Sequence, residues 1–346
     1  MCLGWKFKNF FRKIKKVGRK IGYEKNNFRN YSFLTINFGL NAYTLRENVQ
    51  ETLSKRGVKQ SIINETSDFL LDSRGKMSIV PQQDEIDSLI DRAETLLKKD
   101  KNNIVIKQYL SSMYLKKGGN KNTLKAQKIN EENLKDKGIT DFDKWSSTGL
   151  YYYQIGEKKK AQEYFDKIKE KYKEKPAVYN LIEIVIMDID ILRDSKNFSQ
   201  LIVDTATNEK KMKEMQEISK KQVEKMKIVK DFFQSEENKR EFGIVDELVY
   251  SFDLLLHLSK INEIMQKDLK QEGEFKTKTI KEATDYYLKN VANNEKMTED
   301  SIKYNIILEN MYLRIMVILV SDDEKESAEF SKKLEKSKLY RIFEKL

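Results

Sequence analysis

The side chains most often used in catalysis and metal binding are scarce in this chain. Among 346 residues there is one histidine, His257, and one cysteine, Cys2. Within one chain they can form neither a thiolate zinc site nor a disulfide framework, and they leave few groups for general acid–base chemistry. His257 lies in an apolar run beside Leu256 and Leu258, so we expect it to pack within a helix.

Motifs with a defined chemical mechanism are also missing from the sequence. It contains no phosphate-binding glycine loop, no HExxH, no CxxC, no nucleophile elbow and no EF-hand loop. Acidic pairs such as Asp188 and Asp190 are two positions apart, so they point apart on a helix. The sequence leaves open whether carboxylates that are distant along the chain come together in the folded protein. The sequence predicts a non-enzymatic protein with no cofactor and no metal.

The composition favours a helical protein with a large surface. Hydrophobic residues make up 39% and charged residues 35%, with 13 glycines and 2 prolines. So few helix breakers are typical of long helices rather than of a many-turned β fold. The net charge is +11, but residues 1–23 hold eight basic residues and no acidic one. Without those eight, 58 basic residues face 55 acidic ones, so the remainder of the chain is nearly balanced.

The most informative pattern is a short run of large, small and aromatic residues. Trp145, Gly149 and Tyr152 recur at helical spacing and therefore share one face of a first helix. Gly156 is placed to end that helix, because a left-handed backbone is easiest for a residue without a Cβ atom. Phe165 then lies on the face of a second helix that turns back toward the first. We expect Trp145, Tyr152 and Phe165 to be buried between the two helices.

This spacing resembles the tetratricopeptide repeat, an antiparallel helix pair with a period of about 34 residues. A more degenerate copy precedes it, since Lys125-Ala126-Gln127 recurs as Lys160-Ala161-Gln162 after 35 residues. Two such units and a flanking helix cover about residues 86–176. Pro176 lies beyond the usual position of the family's proline, which predicts a lengthened second helix.

The resemblance implies an all-α fold built as an α-solenoid of antiparallel helix pairs, followed by a C-terminal helical bundle. Tyr31–Leu45 and Met77–Val80 have strand character, so the part near the N-terminus is expected to be small and mixed. Arg74-Gly75 is expected to form a turn. The predicted regions are a basic amphipathic arm (1–23), an N-terminal segment with a little β structure (24–81), the repeats (82–200) and a helical continuation or bundle (201–346).

Apolar periodicity predicts helices along most of the chain. Asn208–Gln234 has an irregular heptad register, which favours a packed helix over a sustained coiled coil. Met311–Val320 is too short to span a membrane and contains Arg314, so we expect a buried central helix. The predicted helices are Leu45–Leu71 in large part with a turn at Gly57, Ile86–Lys99, Ile104–Lys117, Ala177–Leu192, Asn208–Gln234, Phe242–Leu269, Thr279–Val291, Ser301–Val320 and Glu324–Leu346.

The N-terminal arm, residues 1–23, has the pattern of a helix that lies in a membrane interface. Apolar side chains recur at helical spacing and basic side chains fill the other face. Cys2 beside it is a candidate for attachment of a fatty acyl chain. The predicted membrane-binding residues are Trp5, Lys6, Phe7, Lys8, Phe10, Phe11, Arg12, Lys13, Ile14, Lys15, Lys16, Val17, Arg19 and Lys20.

Two other interpretations of the arm stay open. Its apolar stripe could pack on the protein's own helices, or its aromatic and basic residues could bind nucleic acid, which the pattern favours less. Charges interrupt the apolar residues, so the arm is neither a secretory signal nor a spanning helix. We therefore expect a cytoplasmic protein attached peripherally to an anionic membrane surface.

The family resemblance implies that the repeats bind an extended or helical segment of another protein in a concave groove. The predicted function is thus a protein-binding adaptor. The alternatives are a membrane-active protein whose N-terminal helix is the effector, and a nucleic-acid-binding regulator with a helical sensor body. Neither the partner nor the oligomeric state follows from the sequence. The predicted groove residues are Gln108, Ser112, Leu115, Lys116, Ser146, Leu150, Tyr153 and Gln154.

Overall fold

The structure is a computed structural model that describes residues 46–76, 83–193, 209–266, 277–320 and 324–345. Within these ranges the chain forms fifteen α-helices and no strand, which confirms the predicted all-α class. The helices are α1 Arg46–Ser54, α2 Gln60–Lys76, α3 Gln83–Lys99, α4 Ile104–Lys117, α5 Asn120–Lys135, α6 Asp141–Gln154, α7 Lys158–Lys171, α8 Pro176–Arg193, α9 Glu209–Phe232, α10 Glu236–Phe242, α11 Asp246–Gln266, α12 Thr277–Asn290, α13 Glu299–Val320, α14 Glu324–Leu334 and α15 Lys338–Phe343.

The described residues fall into two compact units. The N-terminal unit contains 46–76, 83–193 and 220–249, and the C-terminal unit contains the other described residues. In the N-terminal unit each helix from α1 to α7 packs against the next one in the chain. Two further contacts join α1 to α4 and α6 to α8. Helices that pack in chain order need only short connections, and the loops between α3 and α8 are short throughout.

Helix α4 is the most deeply buried helix of this stack, with nine of its fourteen residues buried. Its start is fixed by Asn103, which is fully buried. The Asn103 side-chain oxygen accepts a hydrogen bond from the Ile106 backbone nitrogen at 3.1 Å, and its amide nitrogen donates to Thr66 Oγ1 at 2.7 Å. One side chain therefore caps α4 and joins it to α2.

The region predicted as a separate mixed segment contributes two helices to the same core. Leu53, Ile63 and Leu70 of α1 and α2 are buried in one cluster with residues of α3 and α4. Gly57 forms the expected turn, with φ at 72°. The turn predicted at Arg74-Gly75 is wrong, since α2 continues to Lys76. A glycine within a helix costs about 1 kcal/mol, which the packing of a long helix can outweigh. The predicted strands at 31–45 and 77–80 lie outside the described residues.

Two helix boundaries differ from the predicted ones because of local backbone chemistry. Pro176 is the first residue of α8, whereas α7 ends at Lys171, so the expected lengthening of the second helix is wrong. Proline suits a first helical position, where its fixed φ fits and no N–H is needed. Gly243 adopts a left-handed conformation with φ at 63° and ends α10 at Phe242. The helix predicted from Phe242 therefore begins at Asp246.

The C-terminal unit is a helical cluster in which α12, α13 and α14 contact one another. The Tyr287 ring lies 6.3 Å from the Tyr312 ring and 6.1 Å from the Phe330 ring, between centroids. Tyr312, Met316 and Val320 are buried, which confirms the buried helix predicted there. Ser337 caps α15 and divides the predicted C-terminal helix in two. None of the helices in the described part of the chain is long and apolar enough to cross a membrane.

Candidate partner surface

The α6–α7 pair is built around a close approach at Gly149. A Cβ atom at Gly149 would lie 2.5 Å from Cε1 of Phe165, so only glycine leaves room for that ring. Phe165 is 2% exposed, and Ala161 one turn earlier is fully buried. Gly156, with φ at 87°, ends the first helix as predicted. These four positions fix how closely α7 packs on α6.

A lysine covers a tyrosine in the same way in both predicted repeat units. In the first unit, Lys125 Nζ lies 4.6 Å from the centroid of the Tyr114 ring. In the second, Lys160 Nζ lies 5.3 Å from the centroid of the Tyr152 ring. Each lysine immediately precedes a fully buried alanine in the second helix of its pair. The two helix pairs thus place equivalent side chains against each other.

In the first unit this contact is extended by an acidic residue from α3. The Tyr114 hydroxyl donates to Glu94 Oε1 at 2.5 Å, and Lys125 Nζ lies 3.1 Å from the same oxygen. Burial, and then the Glu94 hydrogen bond, raise the pKa of Tyr114, and the same hydrogen bond lowers the pKa of Glu94. The phenol therefore stays neutral, and the three helices are joined by one polar contact.

Helix α7 continues the pattern and forms what we call the lysine–tyrosine surface. Its sequence contains six lysines and three acidic residues. Ammonium groups over aromatic faces are attracted by the ring quadrupole while the lysine stems cover apolar surface. The pairs that define this surface are Lys158 over Tyr153, Lys160 over Tyr152, Lys167 over Tyr164, Lys169 over Tyr179 and Lys171 over Trp145.

The aromatic rings of this surface are partly exposed rather than enclosed. Tyr152 and Tyr164 stack with their centroids 5.9 Å apart. We expected Trp145 and Tyr152 to be buried between the helices, and that expectation is wrong for both, whereas Phe165 is buried as expected. Trp145 and Tyr152 differ from Phe165 because their rings lie at the edge of the helix pair, beneath Lys171 and Lys160.

The residues predicted to line a groove fall into two groups. Gln108, Ser146 and Leu150 are buried, so they present no open surface to a partner. Gln108 is buried because it lies on α4, which packs against α1, α3 and α5. The remaining residues are accessible: Ser112, Leu115, Lys116 and Tyr153 are partly exposed, and Gln154 is exposed.

Tyr153 also connects α6 to α8. Its hydroxyl donates to Asp190 Oδ2 of α8 at 2.7 Å. Asp188 points away from Asp190, as predicted, since it is buried and accepts from Gln222 Nε2 at 2.9 Å. The two carboxylates therefore serve different helix contacts and do not form an acid–base pair.

The side chains suited to catalysis or metal binding lie outside the lysine–tyrosine surface. His257 is partly buried, with Nδ1 2.9 Å from the Tyr286 hydroxyl, as expected for a histidine packed in a helix. In the ranges that the structure describes, no cluster of three or more histidine, cysteine or acidic residues could hold a metal ion. Cys2 and all the predicted membrane-binding residues of the arm lie outside the described residues.

Sequence reasoning missed Tyr164, Lys167 and Tyr179 as members of this surface. Lysines mixed with aromatic residues in α7 could have indicated this surface. The same mixture is typical of an ordinary solvated helix face, so it did not stand out. Comparisons of the chain with protein families, with curated proteins and with solved structures give no match. The function is therefore inferred from the arrangement of the side chains.

Proposed function

We propose that this protein is a non-enzymatic adaptor that binds a segment of another protein across α6, α7 and α8. The observation that supports this most is the lysine–tyrosine surface. Tyrosine and tryptophan contribute strongly at protein interfaces, because they bury a large area at a small cost in conformational entropy. Here they are held in place by lysines and remain partly exposed, so the surface is ready to be covered.

We also propose that helices α3–α8 form a solenoid related to the tetratricopeptide repeat. Three features support this proposal: packing in chain order, the contact between α6 and α8, and the lysine–tyrosine contact repeated before a buried alanine. In a solenoid, each pair contacts only its neighbours, so the surface extends from one pair to the next. The partner segment would then lie along more than one pair.

The charge of α7 indicates the chemistry of the partner. Six lysines against three acidic residues favour a segment that carries carboxylates. Charges at the rim of an interface increase the association rate and exclude like-charged partners. The proposed adaptor therefore binds an acidic segment, and its N-terminal arm brings the complex to an anionic membrane surface.

The experiment that tests this function compares matched variants of the full-length protein as bait. Tyr164→Ala and Lys167→Glu alter the surface, whereas Tyr340→Ala and Lys332→Glu make the same changes in the C-terminal unit. We expect one partner, identified by mass spectrometry and then purified, to bind the wild type and both controls equally. Its Kd should rise at least about tenfold, or 1.4 kcal/mol, for the two surface variants. Equal affinity for all five proteins would refute the proposal.

A further inference from the structure

The C-terminal unit contains a carboxyl group that is completely buried. Glu309 of α13 is 0% exposed. Its Oε1 accepts a hydrogen bond from the Tyr250 hydroxyl at 2.9 Å. Its Oε2 accepts no hydrogen bond from any residue in the described part of the chain. A buried carboxylate with one of its two oxygens unsatisfied is costly, so the neutral acid is the favoured form.

The described titratable groups that face Glu309 are tyrosines, which are neutral at ordinary pH. Tyr250 of α11, Tyr287 of α12 and Tyr312 of α13 interact with it electrostatically, and all three are buried. Phe330 of α14 packs on Tyr287 and adds apolar cover. Burial raises the pKa of Glu309 to about 8, and the Tyr250 hydrogen bond opposes that shift only in part. Among the described residues, phenol rings surround the carboxyl group and no cation pairs with it.

A break in α13 lies one turn before Glu309. Asn305 has non-helical angles, with φ at −107° and ψ at 16°. Its side-chain nitrogen donates to the Ser301 carbonyl oxygen at 3.0 Å, and its side-chain oxygen accepts from Ser251 Oγ at 2.6 Å. Asn305 therefore makes side-chain bonds to its own helix and to α11 at the point where its backbone departs from helical angles. A helix can bend most easily at such a departure.

These observations point to a proton-dependent conformational device. We propose that the protonated side chain of Glu309 holds α13 against α11 and α12, and that loss of this proton releases α13 at the Asn305 break. The charged carboxylate needs water, which it can reach only if the surrounding tyrosines separate from it. Opening at Asn305 allows this without unfolding the first turn of α13, which Lys303 and Glu299 join at 2.8 Å.

The direction of the pH dependence follows from the two values of the pKa. The pKa of Glu309 is raised from 4.5 to about 8 on folding. At a pH between these two values, the closed state therefore keeps a proton that the open state has lost. The stabilisation is fully present below about pH 4.5 and disappears as the pH rises through 8. Each unit of pKa corresponds to a factor of ten, so opening becomes on the order of a thousandfold more favourable across this range.

The test uses hydrogen exchange of the α13 amides in full-length protein, with Glu309→Gln compared to the wild type at each pH. Equal exchange is expected at pH 5, because glutamine imitates the neutral acid. At pH 9 the wild type should exchange on the order of a thousandfold faster than Glu309→Gln. The exposed Glu335→Gln in the same unit is the matched control and should follow the wild type throughout. The same pH dependence in wild type and Glu309→Gln would overturn the proposal.

A second variant keeps the test decisive if Glu309→Gln does not fold. Tyr250→Phe removes the hydrogen bond that stabilises the carboxylate, so the midpoint of opening should move to higher pH. A residue with a purely structural role would lower protection at all pH values and leave the midpoint unchanged. Infrared difference spectra of the wild type should show a protonated carboxyl band at neutral pH that disappears at the same midpoint. A carboxylate already ionised at pH 6 would contradict the mechanism.

Discussion

Gly149 is the residue at which the α6–α7 pair is most sensitive to change. Gly149→Ala should destabilise the protein by about 1–3 kcal/mol, because the added methyl group overpacks the site against Phe165. Alanine normally favours a helix by about 1 kcal/mol over glycine, so a net loss reports the clash itself. The measurement is the free energy of unfolding from denaturant titration of both proteins.

As a control, Gly149→Ala is also introduced into a protein that carries Phe165→Val. There the ring atoms near Gly149 are gone, so Gly149→Ala should become neutral or stabilising. A double-mutant cycle then gives the coupling between the two positions. If Gly149→Ala is equally harmful with and without the ring, the close approach to Phe165 is not the cause.

For single residues, the sequence predicted roles that depend only on neighbours close along the chain. Gly149, Gly156 and Phe165 follow from helical spacing and from the need for a left-handed residue at a helix end. Glu309 and Tyr250 could not be paired in advance, since 59 positions separate them and only the packing of α11 on α13 brings them together. The sequence offered no reason to distinguish Glu309 from the many solvated glutamates.

The start of α4 is capped by a single buried side chain, that of Asn103. Asn103→Ala should lower the free energy of unfolding by about 2 kcal/mol. It removes the N-cap hydrogen bond and leaves the buried Thr66 hydroxyl without its partner. Asn102→Ala is the matched control, because Asn102 is exposed at the neighbouring position and should change stability by less than about 0.5 kcal/mol. Thermal or urea unfolding of the three proteins measures both values.

Equal stability of the two asparagine variants would mean that α4 is not fixed by its cap. A useful second reading is hydrogen exchange of the first turn of α4. Only Asn103→Ala should accelerate it, because only Asn103 accepts from the Ile106 backbone nitrogen.

Helix existence was easier to predict than helix ends. Apolar periodicity identified α3, α4 and α8 with ends within a few residues, because each has a continuous buried stripe. Gly243 and Ser337 carry ordinary cap signals, but they interrupt sequences whose apolar pattern continues on both sides. The pattern alone therefore predicted uninterrupted helices through both positions.

For the molecule as a whole, the N-terminal arm predicts reversible binding to anionic vesicles. The full-length protein should co-sediment with anionic vesicles and not with neutral ones, and removal of residues 1–23 should abolish binding. Binding should weaken as salt is raised, since exposed charges are screened within about 8 Å at physiological ionic strength. Phe10→Glu should bind far less than Asn9→Glu, which adds the same charge without removing an apolar ring.

Each alternative for the arm has its own outcome in the same experiment. Equal sedimentation of the intact and shortened proteins would remove the membrane interpretation. Salt-sensitive binding to competing RNA or DNA alone would favour a nucleic-acid-binding regulator. Binding to neither would favour an arm that packs on the protein's own helices.

The division into two units was the least predictable feature at this scale. Residues 220–249 belong to the same unit as 46–76 and 83–193. Contacts such as Asn48 to the Gly243 carbonyl oxygen, at 3.5 Å, join positions 195 residues apart. Hydrophobic periodicity carries no information about pairs so distant, because it describes the faces of one helix at a time.

The burial of α4 has a practical consequence for truncation. Helices α1 and α2 act as a cap on α4, since they cover a face of it that would otherwise meet water. The Phe69 ring of α2 lies 5.0 Å from the Tyr109 ring of α4, and Arg56 anchors the cap to Asp136 through two hydrogen bonds of 2.8 and 2.9 Å. A fragment that begins at residue 82 would lose this cap and expose an apolar face, so it should aggregate. Fragments for binding studies should therefore begin before Arg46.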